Sequence, residues 1–213
     1  MSRLDQQTPG YGRVAVAPTR GFVALGDSLT AWAFAPGSCR ASVSLAWPSV
    51  LAQLEPGLTL LHNSGVPGDT TAEMVARFKS DVLAYRPDVL FVMGGANDVG
   101  SHWSASYTVA NLRTIVRAAK SRGIEVVLLT IPPNNEIGPS GLRALRATNK
   151  LLSQMGAEEG VLVVDVYSSL VSSSGGLARQ YAAIDGLHLT IRAEEKIAQV
   201  VFDALEAAVP GQR

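Results

Sequence analysis

The chain has 213 residues, enough for one domain with a sizeable core and short for two. Hydrophobic residues make up 47%, which argues against a disordered chain. The 18 Lys and Arg offset the 18 Asp and Glu, leaving no electrostatic basis for a nucleic-acid or anionic-membrane partner. Cys39 is the single cysteine, so an internal disulfide framework is excluded and a reducing compartment fits.

Residues 1–21 carry no long apolar run and do not read as a signal peptide. We expect residues 1–20 to be an irregular lead-in, residues 21–213 to form one domain, and the location to be cytoplasmic. No run of about 20 apolar residues occurs, so no membrane-spanning helix is expected. The oligomeric state is not legible.

Five short runs rich in valine and leucine follow, at residues 21–25, 58–61, 89–93, 125–130 and 161–166. Each is continuous rather than alternating, as in strands buried on both faces of a parallel sheet. Between them lie helical spacings. Val109, Leu112, Ile115, Val116 and Ala119 form one such stripe, and Ile197, Val200, Val201 and Leu205 another. Thr190 suits the N-cap of the last helix, with Glu194 and Glu195 near its positive end. Strands alternating with helices predict a doubly wound α/β fold with right-handed crossovers. The serines at 168, 169 and 172–174, with Gly175 and Gly176, read as a solvated loop.

In such a sheet ligands bind at the carboxyl ends of the strands, so the residues after each strand carry the information. The first strand is followed by Gly26-Asp27-Ser28-Leu29, which puts a hydroxyl at the mouth of the sheet; a plain helix cap reads equally well. Asn63-Ser64-Gly65-Val66-Pro67-Gly68 follows the second. Its glycine offers a close-approaching backbone N–H, or the segment is simply a tight turn. Gly94-Gly95-Ala96-Asn97-Asp98 follows the third, where the Asn97 amide is either an oxyanion donor or an Asx-turn. The fourth ends in Pro132-Pro133, a stiff wall without a catalytic group. After the fifth comes Asp185-Gly186-Leu187-His188. A carboxylate three residues before a histidine can hold the ring in one tautomer from a single loop. His62 reads as a buried, hydrogen-bonded side chain. His102 is a weaker candidate base, and Cys39 a bystander thiol.

These blocks, in this order, resemble the SGNH hydrolases, also called the GDSL esterase and lipase family, and among them the bacterial acyl-thioesterase and lysophospholipase-like group. The resemblance implies a flavodoxin-like three-layer α/β/α sandwich with a five-stranded parallel sheet in order 2-1-3-4-5. It implies Ser28 as nucleophile, His188 as base and Asp185 as its orienting carboxylate. It also implies an oxyanion hole from the N–H groups of Ser28 and Gly65 with the Asn97 amide. Asp27 and Asp98 are expected to fix their loops.

The apolar stretch 31–47 suggests an acyl pocket or lid, packing on the core, or both, with Trp32, Phe34, Trp47 and Trp103 as candidate substrate contacts. No metal or cofactor is implied. The expected activity is hydrolysis of short- to medium-chain acyl esters, with a small-molecule ester as the partner. The rivals are a carbohydrate O-deacetylase using the same triad and a catalytically idle ligand-binding module.

Overall fold

The computed structural model describes residues 19–32 and 45–208. Five parallel strands, β1 (Arg20–Gly26), β2 (Leu58–Gly65), β3 (Val89–Met93), β4 (Glu125–Leu129) and β5 (Leu162–Val164), form one sheet in the order β2-β1-β3-β4-β5. That is the expected fold and strand order. Among the described residues eight α-helices accompany them: α1 (Ser28–Ala31), α2 (Trp47–Leu54), α3 (Thr71–Asp81), α4 (Ala96–Gly100), α5 (Ala105–Lys120), α6 (Gly138–Glu159), α7 (Val166–Leu170) and α8 (Ile191–Ala208).

The period-two geometry of strands sorts β1 between two cores. Phe22 and Ala24 face α2 and α8, where Leu51, Phe91, Ile197 and Val201 pack with them. Val23 and Leu25 face the other way, toward Met74 and Phe78 of α3 and Leu112, Ile115 and Val116 of α5. Both faces of β1 and β3 are therefore dry, which is why their sequences read as unbroken apolar runs. Each fully buried Val, Leu, Ile, Phe or Met side chain contributes roughly 1.5–3 kcal/mol relative to exposure.

The second strand departs from expectation. It extends to Gly65, and Leu58 to Leu61 alternate between half-buried and exposed because the strand lies at the sheet edge. The register shifts between Phe22/Leu60 and Val23/His62, leaving Leu61 bulged out and 40% exposed. An apolar run stops at this bulge, whereas the hydrogen-bonded ladder continues through His62-Asn63-Ser64. His62 is half-buried and stacks on Tyr85 at 4.2 Å. Ser168 and Ser169 also depart from the expected loop. They lie in α7, whose first turn Asp165 caps by accepting the Ser168 N–H. The expected lead-in falls outside the described residues except at its end, where Arg20 opens β1.

Trp47 must be reassigned. Its side chain has no exposed surface and packs edge-on against Phe91, with ring centroids 6.1 Å apart. It is a core residue at the start of α2, not a pocket wall. Its backbone N–H, in the first turn of that helix, has no acceptor within the helix, and Glu194 of α8 accepts it at 2.8 Å. Glu194 is itself fully buried, and its second carboxyl oxygen has no partner. Burial pushes this carboxyl well above its ordinary range, and the single Trp47 N–H only partly opposes that.

A raised native pKa means that, as pH climbs above the ordinary glutamate value, the unfolded chain ionises and the folded one does not. The folded state loses relative stability over that window. Glu194→Gln keeps a cap oxygen without this liability. Its Tm relative to wild type should therefore improve steadily from about pH 4.5 upward, by roughly 2–4 °C for each kcal/mol relieved. Thermal unfolding across pH 4–9 checks this; a pH-independent difference contradicts it.

Candidate active site

Three loops meet at the carboxyl edge of β1, β2 and β3. Asp27, directly after β1, is 1% exposed and caps α1 by accepting the Leu29 N–H at 2.9 Å. This cap fixes Ser28 as the first residue of the helix, so its own N–H has no intrahelical acceptor. The Asp27 Oδ2 is buried without a partner. Burial pushes this carboxyl up to about 7. The Leu29 hydrogen bond opposes the shift, while the charges of Asp98 and Asp69 add to it. Asp98 is likewise structural: its two carboxyl oxygens accept the Thr71 hydroxyl at 2.5 Å and the Thr71 N–H at 2.9 Å, tying α4 to α3.

The loop before α8 delivers the second half of the site. Asp185 Oδ1 accepts the N–H groups of Leu187 (3.0 Å) and His188 (2.9 Å), an Asx-turn that Gly186 permits with φ 70°. The same carboxylate places Oδ2 2.6 Å from His188 Nδ1. Asn135 braces the turn from the β4–α6 loop by donating its N–H to the Gly186 carbonyl at 3.0 Å. Partial burial pushes the Asp185 carboxyl up. The His188 ring, the two backbone donors and the His188 charge outweigh it, so the group sits below the usual aspartate range. Across the cleft, His188 Nε2 is 3.0 Å from Ser28 Oγ, although 160 residues separate them in sequence. Ser28, His188 and Asp185 thus form one hydrogen-bonded line, with the histidine side chain 21% exposed.

Asn97 lies in α4, and its Nδ2 donates one hydrogen to the Asp69 carbonyl at 2.8 Å. That bond orients the amide and leaves its other Nδ2 hydrogen to point elsewhere. Gly65 does not fit the same donor role. Its N–H is occupied by the Asn63 Oδ1 at 3.0 Å, and Asn63 in turn donates to the Thr30 carbonyl at 2.8 Å. The neighbouring amides can be followed one by one. Val66 donates to Gly26, Pro67 has no N–H, and Asp69 donates to Val66. The free donor in this loop is Gly68, which is exposed and holds φ 85°. The sequence carried that signal in Pro67-Gly68, but the turn reading absorbed it.

Of the aromatic candidates, Trp32 follows α1 and is half-buried, with its Nε1 enclosed and unpartnered. Trp103 follows α4, is 39% exposed and packs edge-on against Tyr107. Phe34 and Cys39 lie outside the described residues. His102 is exposed at φ 61° and takes no part in the line of three. Among the described residues no group of three or more His, Cys, Asp or Glu is placed to hold a metal.

A serine, histidine and aspartate in register at the switch-point edge of a flavodoxin-like sheet define the serine hydrolases of the SGNH type. The chain belongs to the GDSL-like lipase/acylhydrolase family, whose model matches residues 24–195. It is a carboxylic-ester hydrolase. It is 28% identical to thioesterase 1/protease 1/lysophospholipase L1 of Escherichia coli strain K12 over 92% of this chain and 88% of that one. An uncharacterized lipoprotein of Bacillus subtilis is 31% identical over 41% of this chain and 38% of its own length. The solved structure of an acetylxylan esterase from Geobacillus stearothermophilus, a catalytic mutant, shares the fold with a TM-score of 0.72. It is 21% identical and covers 89% of this chain and 95% of that one.

The glycine at 65 is fixed by packing. A Cβ there would stand 2.3 Å from the Ala31 nitrogen and 2.5 Å from its Cα, both backbone atoms. Gly65→Ala should therefore cost about 1–3 kcal/mol or more, several degrees of Tm. An unchanged melting curve would contradict this packing.

Proposed function

We propose that Ser28 is the nucleophile of an ester hydrolase acting through an acyl-enzyme. The observation that carries the reading is the 3.0 Å approach of His188 Nε2 to Ser28 Oγ, backed by the 2.6 Å contact of His188 Nδ1 with Asp185. His188 takes the hydroxyl proton as Oγ attacks the ester carbonyl, and the resulting imidazolium is stabilised by Asp185. The carbonyl oxygen becomes an oxyanion facing the Ser28 N–H, the Gly68 N–H and the second Nδ2 hydrogen of Asn97. His188 then returns its proton to the leaving alcohol. Water, deprotonated by the same imidazole, releases the acid and restores Ser28. No step requires a metal or an organic cofactor.

The substrate class we favour is short- to medium-chain acyl esters, in keeping with the apolar 31–47 stretch and the likeness to the Escherichia coli thioesterase and lysophospholipase. A second reading, carbohydrate O-deacetylation, is favoured by one feature. A largely polar groove of about 600 Å³ runs beside the histidine loop, walled by Asn135, Glu136, Ser172, Arg179 and Gly186. Among the described residues no helix is long and apolar enough to cross a membrane. A cytoplasmic location is part of this proposal, in keeping with the single cysteine.

Hydrolysis of p-nitrophenyl acetate, butyrate, octanoate and palmitate by wild type and Ser28→Ala tests this reading. Turnover should peak on a short or medium chain and fall by roughly 10⁴-fold or more in the mutant. Equal activity in both proteins contradicts the nucleophile. Acetate release from acetylated xylooligosaccharides, with no turnover of the longer esters, moves the substrate to the second reading.

A further inference from the structure

One side chain outside the reacting groups bonds to residues that lie beside, or hold, each oxyanion donor named above. Arg77 stands on α3, 15% exposed, with its guanidinium directed at the strand ends. Its Nε donates to Asp69 Oδ2 at 2.5 Å. Its Nη1 donates to the Ser64 carbonyl (2.9 Å), the Ser64 hydroxyl (2.5 Å) and Asp81 Oδ2 (2.9 Å). Its Nη2 donates to the Gly26 carbonyl at 2.8 Å.

Each partner sits next to something the reaction needs. Gly26 is two residues before Ser28, and its carbonyl also accepts the Val66 N–H, closing β1 against the loop that follows β2. Ser64 is the last residue before Gly65, whose contact with Ala31 sets the spacing of that loop from α1. Asp69 follows Gly68, and its carbonyl is the acceptor that orients Asn97. One rigid planar fork is therefore bonded, at one remove, to the segments presenting the Ser28, Gly68 and Asn97 donors. It also supplies a positive charge beside the Asp69 and Asp81 carboxylates, which would otherwise oppose an oxyanion.

We propose that Arg77 is a positioning residue that presets the oxyanion hole from behind, holding the ends of β1 and β2 and the Gly68–Asp69 turn in the geometry the transition state needs. The proposal rests on the acyl-enzyme reading above. A lysine cannot replace the arginine. Its single ammonium can keep a carboxylate partner but cannot bridge two backbone carbonyls and two carboxylates at fixed angles. Because the donors act on developing charge, their misplacement should reduce turnover and leave substrate binding nearly unchanged.

The test compares wild type, Arg77→Lys, Asn97→Ala and Arg113→Ala on the best p-nitrophenyl ester. It reads kcat, KM, Tm and the affinity for a trifluoromethyl ketone, which forms an oxyanion on the serine. Arg113 is the control for arginine loss: it joins α5 to Glu158 and Glu159 of α6, away from the three loops.

Asn97→Ala should lose roughly 10²–10³ in kcat. Arg77→Lys should lose about 10–100-fold in kcat and a matching factor in ketone affinity, with KM within about 3-fold. Arg113→Ala should lower Tm and keep kcat within about 3-fold. If Arg77→Lys does not fold, Asp69→Ala carries the test with the same expected split, since it removes the Nε acceptor and keeps the backbone carbonyl. Wild-type kcat in a folded Arg77→Lys, beside a damaged Asn97→Ala, overturns the role of Arg77 alone. A kcat loss without a ketone-affinity loss also overturns it. Wild-type turnover in Asn97→Ala removes the oxyanion reading itself.

Discussion

The hydrogen-bonded line from Asp185 through His188 to Ser28 joins two ends of the chain, and the fold can be understood from what that line requires. Serine is a poor nucleophile at its own pKa, so the imidazole must stand within hydrogen-bond reach in a single tautomer. Asp185 secures this with one carboxylate performing two tasks. Oδ1 closes the Asx-turn that gives the loop its shape, and Oδ2 holds the ring that the loop presents. Ser28 is fixed from the other side by the Asp27 cap, at the end of a strand whose two faces are both buried.

Behind this line lies an unusual concentration of buried carboxyl groups. Asp27, Asp98 and Glu194 are each essentially inaccessible, and each holds a backbone N–H: Leu29, Thr71 and Trp47. All three donors sit in the first turn of a helix, where no intrahelical acceptor exists. Two of these groups pay a desolvation penalty that lifts their pKa, so the helices packed around the site are anchored by groups that are costly to ionise. Arg77 balances the Asp69 and Asp81 carboxylates of the same region with a permanent charge.

The sequence disclosed the parts of this arrangement that local pattern determines. Central strands buried on both faces read as apolar runs, and β3 coincides with its run, residues 89–93. The Asp185 to His188 spacing is local, so its turn was legible. The edge strand was not, because its ladder continues through the polar residues His62 to Ser64. Trp47 could be read as pocket or core with equal ease, since a lone tryptophan near a catalytic loop carries no sign of which way it faces. Gly65 and Gly68 are three residues apart in one turn-forming segment. Only the hydrogen bonds of Asn63, Val66 and Asp69 determine which amide is left free. The contacts of Arg77 to Gly26 and Ser64 span 51 and 13 residues, beyond any local pattern; only its pairing with Asp81 one turn later was readable.

The central claim is that Ser28, and no other hydroxyl, is made nucleophilic by this geometry. Its most direct test is reaction of the folded protein with a fluorophosphonate, followed by peptide mass spectrometry. A single adduct on Ser28, formed in step with loss of esterase activity and absent when His188 is replaced by alanine, is the predicted result. An adduct on a different serine, or full inactivation with Ser28 unmodified, would contradict the account.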